Sequence, residues 1–249
     1  MKVKLIVDLS CALICLLWIR PTLAHPEAEF TKATQEYSAG HFQEAINGYE
    51  ALVRSGEWSA NLFYDLGNAY FRAGDFGHAI LNYERALALE GHHPEAEANL
   101  RIARDQARAL ELTAGPVERV LRFANVNELA VAAAIAFWVA AFSLIRLLFA
   151  RRRGAGAIAV SIFSLLIFAG AACASYQLEN GAKGKALAIV VGNDVEARLA
   201  TADNAHTVLA LPPGSEIRIL SIRGEWIYAA LPNNLRGWLP AKSAEQVRL

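Results

Sequence analysis

The sequence predicts a multidomain membrane protein with three structural parts: an α-helical repeat domain, a two-helix transmembrane hairpin and a small all-β barrel. One motif recurs after 34 residues in the N-terminal half, two long apolar runs occupy the middle, and short strand-like runs separated by turn residues fill the C-terminal part. Hydrophobic residues make up 55% of the 249 residues and the mean hydropathy is +0.26, which is high for a soluble protein. The formal net charge is zero, so no nucleic-acid partner is expected.

Residues 1–24 have the features of a secretory signal peptide. Lys2 and Lys4 precede an apolar run from Leu9 to Ile19, and small residues stand at the end of the segment. This order of a basic, an apolar and a small-residue region is typical of export signals. We expect cleavage after Ala24, with an uncleaved N-terminal anchor as the alternative. In either case the next segment is exported.

The exported N-terminal segment contains an internal repeat. GHFQEAINGYEAL starts at residue 40 and GDFGHAILNYERAL at residue 74, and their Gly, Phe, Ala-Ile and Tyr positions coincide at an offset of 34. This period is typical of tetratricopeptide repeats, in which each unit is a pair of antiparallel helices. The second copy resembles that family closely. Its structural positions are Gly67, Tyr70, Gly74, Ala79 and Tyr83.

The residue types at these positions have a packing explanation. Gly67 and Ala79 are small because the two helices of one repeat meet there, and Gly74 ends the first helix. Apolar residues from Ala96 to Leu110 then recur at helical spacing, which predicts a third helix as a cap. The predicted domain covers residues 25–112, with repeats at about 26–59 and 60–93 and the capping helix at 94–112.

The resemblance to tetratricopeptide repeats also implies a binding groove, because the first helix of each repeat lines a concave surface in that family. The matching positions in the second copy are Asn61, Tyr64, Asn68, Phe71 and Arg72. Asn68 and Arg72 can hold a peptide backbone or carboxylate, while Tyr64 and Phe71 supply apolar contact. The alternative is that all five are ordinary solvated helix residues.

Two apolar runs predict transmembrane helices at residues 129–150 and 154–176. The first contains Arg146 as its only charge and the second contains none. At about 1.5 Å per residue each is long enough to span the roughly 30 Å hydrocarbon layer. The alternative is a buried helical hairpin in a soluble protein. Residues 113–128 are predicted to form a linker with a short helix at the membrane surface.

The loop between the two apolar runs predicts their orientation. It consists of Arg151, Arg152 and Arg153, and short loops rich in arginine face the cytoplasm. Both regions that flank the hairpin are therefore expected outside the cytoplasm, in agreement with the predicted signal peptide.

The end of the chain has the pattern of a small barrel. After a polar linker at residues 177–185, about six strand-like runs alternate with turns. The stretch LPPGSEIRIL from residue 211, the pair Glu225-Trp226 and the run Gly237-Trp238-Leu239-Pro240 resemble a bacterial SH3 domain, here over residues 186–249. The resemblance implies that Trp226, Gly237 and Trp238 belong to the core and rim of the barrel rather than to a ligand-stacking site. Such domains in other chains bind cell-wall peptides or other proteins.

The sequence contains no motif that indicates enzyme chemistry. It has no nucleophile elbow, phosphate-binding loop, zinc-ligand spacing or paired-carboxylate motif, and its histidines are dispersed. We therefore expect a non-enzymatic protein with no catalytic residues, no cofactor and no metal site.

The ordered whole is similar to the BatE-type proteins of bacterial aerotolerance operons, which combine the same parts in the same order. The resemblance implies a bacterial inner-membrane location with both soluble domains in the periplasm. It also implies protein partners, namely membrane-anchored von Willebrand factor A proteins and a MoxR-type ATPase system. The expected function is a scaffold or adaptor in envelope stress tolerance. The alternative is a cell-wall sensor that binds peptidoglycan through the SH3-like domain.

Overall fold

The computed structural model of the chain describes residues 26–113, 115, 126–149, 155–180 and 184–248. The predicted signal peptide, the predicted surface helix and the arginine loop lie outside these residues. Within them the chain forms a helical repeat region, two apolar helices and a C-terminal antiparallel sheet. The prediction of these three parts is confirmed at that level.

The chain divides into two compact units after Trp58. The described part of the first unit contains α1 (Pro26–Ser38) and α2 (Phe42–Arg54). These helices meet through small residues, because a Cβ atom added to Gly48 would lie 2.9 Å from the Cβ of Ala33. The two helices therefore pack closely, although Ala33 stands where the second copy of the repeat has Gly67.

The second unit begins with three helices. The first of them starts after Ser59, whose Oγ accepts a hydrogen bond from the amide of Leu62 at 3.1 Å, and stops at Gly74, whose φ is +83°. A left-handed backbone at this position favours glycine, because the Cβ atom of any other residue is sterically unfavourable in this conformation. The helices are α3 (Ala60–Ala73), α4 (Phe76–Leu89) and α5 (Pro94–Ala107).

Helices α3 and α4 touch at Gly67. A Cβ atom added there would lie 2.7 Å from Cε1 of Tyr83 and 3.3 Å from the carbonyl oxygen of Ala79. Tyr83 is only 1% exposed, so its ring has no room to move aside. The absence of a side chain at Gly67 is what allows the tyrosine to lie between the two helices.

The capping helix is shorter than predicted. It ends at Ala107, not near Leu112, because Arg108 adopts a left-handed conformation with φ 52° and ψ 38°. Leu110 continues the apolar spacing of the helix in sequence, but it packs against the core of the sheet instead. Apolar periodicity therefore overestimated the helix, since it cannot distinguish a helix face from an extended segment that contacts another element.

Two apolar helices follow, α6 (Val126–Phe149) and α7 (Ala155–Asn180). Both are long and apolar enough to cross a membrane by length and composition. They pack against each other, and the rings of Phe137 and Phe168 approach to 5.7 Å between centroids. Helix α7 extends through Asn180, so the first residues of the predicted linker at 177–185 are helical.

Seven antiparallel strands form the C-terminal sheet in the order β3-β2-β6-β5-β4-β1-β7. The seventh, which pairs with β1, was not among the six predicted from sequence. The strands are β1 (Leu187–Val190), β2 (Val195–Arg198), β3 (Thr207–Leu211), β4 (Glu216–Arg223), β5 (Trp226–Ala230), β6 (Arg236–Pro240) and β7 (Ala244–Gln246).

The two tryptophans predicted for the core and rim of the barrel lie outside the buried core of the sheet. Trp226 and Trp238 are half-buried, whereas Ile227 and Leu239, the residues that follow them, are buried in the core. Successive side chains of a strand point to opposite faces, so both indole rings lie on the other face of the sheet. Gly237 is buried, and a Cβ atom added there would lie 3.0 Å from the Cβ of Ala197.

Candidate functional site

A hydrogen-bonded group of side chains joins α3 to α4 and α5. The Oδ1 atom of Asn68 accepts hydrogen bonds from the hydroxyl of Tyr83 at 2.8 Å and from Nδ2 of Asn99 at 2.9 Å. The same Nδ2 atom lies 3.3 Å from the hydroxyl of Tyr64. Tyr64 and Asn68, both predicted groove residues, are thus brought together by Asn99, a residue that the sequence analysis did not select.

The other predicted groove residues lie apart from this group. Phe71 is half-buried and packs edge-on against the ring of Phe76 at 5.5 Å, where α3 turns into α4. Asn61 is exposed near the start of α3, and Arg72 is exposed near its end. The five predicted residues therefore line one helix without forming a single cluster.

Helix α5 carries an exposed apolar residue that the sequence analysis missed. Ile102 is 50% exposed and follows Asn68 by 34 residues, and Ala98 follows Tyr64 by the same interval. An exposed isoleucine at a position equivalent to a groove residue offers apolar contact beside the amide groups of Asn68 and Asn99. The repeat period could have identified it, had the period been extended into the predicted capping helix.

One acidic residue of α3 has an unusual environment. Asp65 is half-buried, and burial raises its pKa to about 6, while the nearby His93 partly opposes this increase. The ring of His93 lies 5.0 Å from the ring of Tyr64, and its Nδ1 atom accepts a hydrogen bond from the amide of Ala96 at 3.3 Å. This histidine is the N-cap of α5, so it fixes the start of the helix that carries Asn99 and Ile102.

The sheet carries a second candidate surface on the face opposite its core. The rings of Tyr228 and Trp238, on paired positions of β5 and β6, lie 4.9 Å apart. The guanidinium of Arg223 lies 5.4 Å from the ring of Trp238, and Trp226 pairs with Arg223 across the two strands. Half-exposed aromatic rings beside a cation provide a surface for flat or anionic ligand groups.

Among the residues that the structure describes, no group of three or more histidine, cysteine or acidic side chains is placed to hold a metal ion. Both candidate surfaces consist of amides, aromatic rings, arginine and isoleucine, and they are suited to binding by contact and hydrogen bonding.

Comparison with known families identifies residues 60–93 as a tetratricopeptide repeat. This segment corresponds to α3, α4 and the turn that precedes α5. The tetratricopeptide repeat is a non-catalytic repeat that mediates protein–protein interaction. A search of curated proteins finds no match to the chain.

Proposed function

We propose that the protein is a non-enzymatic scaffold of a bacterial inner membrane that holds a partner protein in the periplasm through its tetratricopeptide repeats. The observation that carries this proposal is the identified repeat at residues 60–93, whose helix α3 presents a half-exposed tyrosine and amides beside the exposed Ile102 of α5. The helices α6 and α7 anchor the chain in the membrane, and residues 186–249 act as an SH3-like domain.

The orientation follows from the charge of the hairpin loop. Arg151, Arg152 and Arg153 stay in the cytoplasm, and the repeats and the sheet lie in the periplasm. Cysteines introduced by His92→Cys and Arg152→Cys into a chain whose native cysteines are replaced by serine test this assignment. In spheroplasts a membrane-impermeant maleimide is expected to label position 92 directly and position 152 only after the membrane is permeabilised. The reverse pattern would contradict the orientation.

The partner bound in the groove is a protein segment with an apolar side chain and an exposed backbone. Ile102 and Tyr64 contact the apolar group, while Asn61 and Arg72 are exposed near the two ends of α3, where they face the polar parts of a long segment. In a Bat-type complex the partners are von Willebrand factor A proteins that act with a MoxR-type ATPase, in tolerance of envelope stress.

Co-purification from native membranes, with bound proteins identified by mass spectrometry, tests the groove. We expect the unmodified chain to recover von Willebrand factor A proteins and the Ile102→Glu variant to lose them, because a carboxylate replaces the apolar contact. Leu89→Glu is the matched control, since Leu89 is 53% exposed and Ile102 is 50% exposed. Retention of these proteins by the Ile102 variant would remove the groove from the proposal.

A second candidate function is cell-wall sensing through the sheet. The row of Trp226, Tyr228 and Trp238 favours it, because adjacent half-exposed rings can stack on sugar or peptide groups of peptidoglycan. The full chain in detergent is then expected to sediment with purified cell-wall sacculi, and Trp238→Ala is expected to abolish this. Trp58→Ala, which changes an exposed tryptophan outside the sheet, should have no effect. Sedimentation that survives loss of Trp238 would exclude this surface.

A further inference from the structure

The sheet meets the second repeat at two glycines. A Cβ atom added to Gly77 of α4 would lie 3.0 Å from both Cα and the carbonyl oxygen of Val191, which follows β1. Gly214, just before β4, lies against the side chain of Ile80, and a Cβ atom there would lie 3.4 Å from the Cβ of Ala109. At both places backbone lies directly against a helix, so the two elements are in van der Waals contact.

Backbone hydrogen bonds continue this contact beyond α5. The amide of Glu216 donates to the carbonyl oxygen of Leu110 at 2.8 Å, and the amide of Leu110 donates to Oγ of Ser215 at 3.1 Å. The amide of Leu112 donates to a carboxylate oxygen of Glu216 at 3.0 Å. Residues 110–112 are thus held by the start of β4, which is why the helix stops at Ala107.

A buried arginine links both helices to the sheet. The guanidinium of Arg104 on α5 bonds to the carboxylates of Glu84 on α4 and Glu216 on β4. The side chain of Glu216 is fully buried and that of Arg104 is 11% exposed. A buried carboxylate is unfavourable unless a cation and hydrogen-bond donors accompany it. The sheet therefore contains a charge whose cationic partner is located on the repeat.

A second ion pair joins helix α4 to another strand of the sheet. Arg85 of α4 contacts the carboxylate of Glu245 at 3.1 Å and donates to the carbonyl oxygen of Gln246 at 3.1 Å, both at β7. Four kinds of contact, namely steric fit, backbone hydrogen bonds, a buried ion pair and a partly exposed ion pair, thus join elements that precede the apolar helices to elements that follow them.

We infer that the C-terminal sheet is the terminal cap of the helical repeats, so that repeat and sheet form one folded unit with the apolar hairpin inserted in it. Tetratricopeptide arrays usually need three or so repeats, and a third repeat would continue with a second helix after α5. Here Arg108 ends α5, and β1 and the turn at Gly214 contact α4 in place of that helix. The ion pair between Arg104 and Glu216 joins the repeat to the sheet by a contact that an unrelated capping element would not provide.

Contact between repeat and sheet restricts how often the chain can cross the bilayer, given the membrane placement in the proposed function. Elements that touch lie on the same side of a bilayer. The chain between α5 and β1 must therefore cross the membrane an even number of times, and α6 and α7 supply two crossings. A single crossing is incompatible with the contacts of Arg104 and Glu216.

Excision of the hairpin from the folded protein tests the inference without reference to membrane side or partner. Specific protease sites are inserted between residues 115 and 126 and between residues 180 and 184 of the full chain, which is purified in detergent and then cleaved. We expect the repeat fragment and the sheet fragment to elute together in size-exclusion chromatography. Separate elution of the two fragments from the unmodified chain would overturn the inference.

Charge reversal identifies the interface in the same assay. Glu245→Lys places a cation against Arg85 and is expected to lower the co-eluting fraction several-fold. Glu196→Lys is the matched control, because Glu196 also pairs with an arginine and its side chain is equally exposed, at 46%, but its partner Arg198 lies in the sheet itself. Glu216→Lys is expected to separate the fragments completely. An equal effect of the changes at 245 and 196 would overturn the assignment of this interface.

Discussion

Arg104 and Glu216 form a buried ion pair although 112 residues separate them in the chain. The arginine also bonds to Glu84, so one cation serves two buried carboxylates on different elements. Burial of either charge without its partner is unfavourable. The folding of the repeat and the folding of the sheet are therefore coupled through this pair.

Replacement of this arginine is expected to be severe. Arg104→Ala leaves the carboxylates of Glu84 and Glu216 buried without their cation, and we expect a loss of about 3 to 5 kcal/mol in the free energy of unfolding. Arg101→Ala removes an exposed arginine from the same helix, and its effect is expected to stay within about 0.5 kcal/mol. Urea unfolding of the full chain in detergent, followed by tryptophan fluorescence, measures both. An equal decrease in the free energy of unfolding for the two variants would show that the buried ion pair contributes no more to stability than an exposed arginine does.

A methyl group at the crossing of α3 and α4 is expected to disturb the repeat. Gly67→Ala places a Cβ atom 2.7 Å from the ring of Tyr83, and overpacking of this kind costs about 1 to 3 kcal/mol. Gly91→Ala adds the same atom where nothing lies within 4 Å, and we expect no loss. The melting temperatures of the two variants, read by far-ultraviolet circular dichroism, should differ accordingly. A Gly67 variant as stable as the Gly91 variant would contradict the packing argument.

Asp65 is expected to make stability depend on pH. Its pKa in the folded protein is raised from 3.8 to about 6 by burial, so the folded state binds the proton more tightly than the unfolded chain does. The free energy of unfolding should therefore fall as the pH rises through this window. Because Asp65 is partly exposed, solvent screening reduces the effect to about 1 to 2 kcal/mol.

Comparison with an uncharged variant isolates this contribution. Asp65→Asn removes the titration, so its stability should exceed that of the unmodified chain at pH 8 and approach it at pH 4. Denaturant unfolding at a series of pH values between these limits measures the difference. Two parallel curves would indicate that the carboxylate keeps its ordinary pKa in the folded protein.

Asn68 is expected to act in folding as well as at the groove. Asn68→Ala removes the acceptor for the hydroxyl of Tyr83 and for the amide of Asn99, and a hydrogen bond of this kind contributes about 0.5 to 1.5 kcal/mol to stability. Asn61→Ala changes an exposed amide of the same helix and should be close to neutral. Thermal unfolding of the two variants tells them apart, and a neutral Asn68 variant would assign this residue to solvent and ligand only.

The repeat period and the apolar runs were sufficient to predict the helical region and the two apolar helices, because both signals depend on residues close together in sequence. Alternation along β5 and β6 could also have placed Trp226 and Trp238 opposite the core, since Ile227 and Leu239 are the inward residues.

The contacts between repeat and sheet could not be predicted in this way. Glu216 stands next to the inward Ile217, so alternation alone assigns it to a solvated face. It is buried because Arg104 of α5 and the backbone of residues 110–112 contact it. Likewise, Leu110 fits a helical spacing but ends in an extended segment, because the start of β4 offers its backbone hydrogen-bond partners.

The distance along the chain between Arg104 and Glu216 also sets a time. Glu216 follows Arg104 by 112 residues. Because ribosomes add about 5 to 20 residues per second, Glu216 is synthesised about 6 to 22 seconds after Arg104. During this interval Arg104 and Glu84 are present in the new helices, but the carboxylate of Glu216 that also bonds to Arg104 is not. The repeat can therefore complete the packing around Arg104 only after the start of β4 has been synthesised.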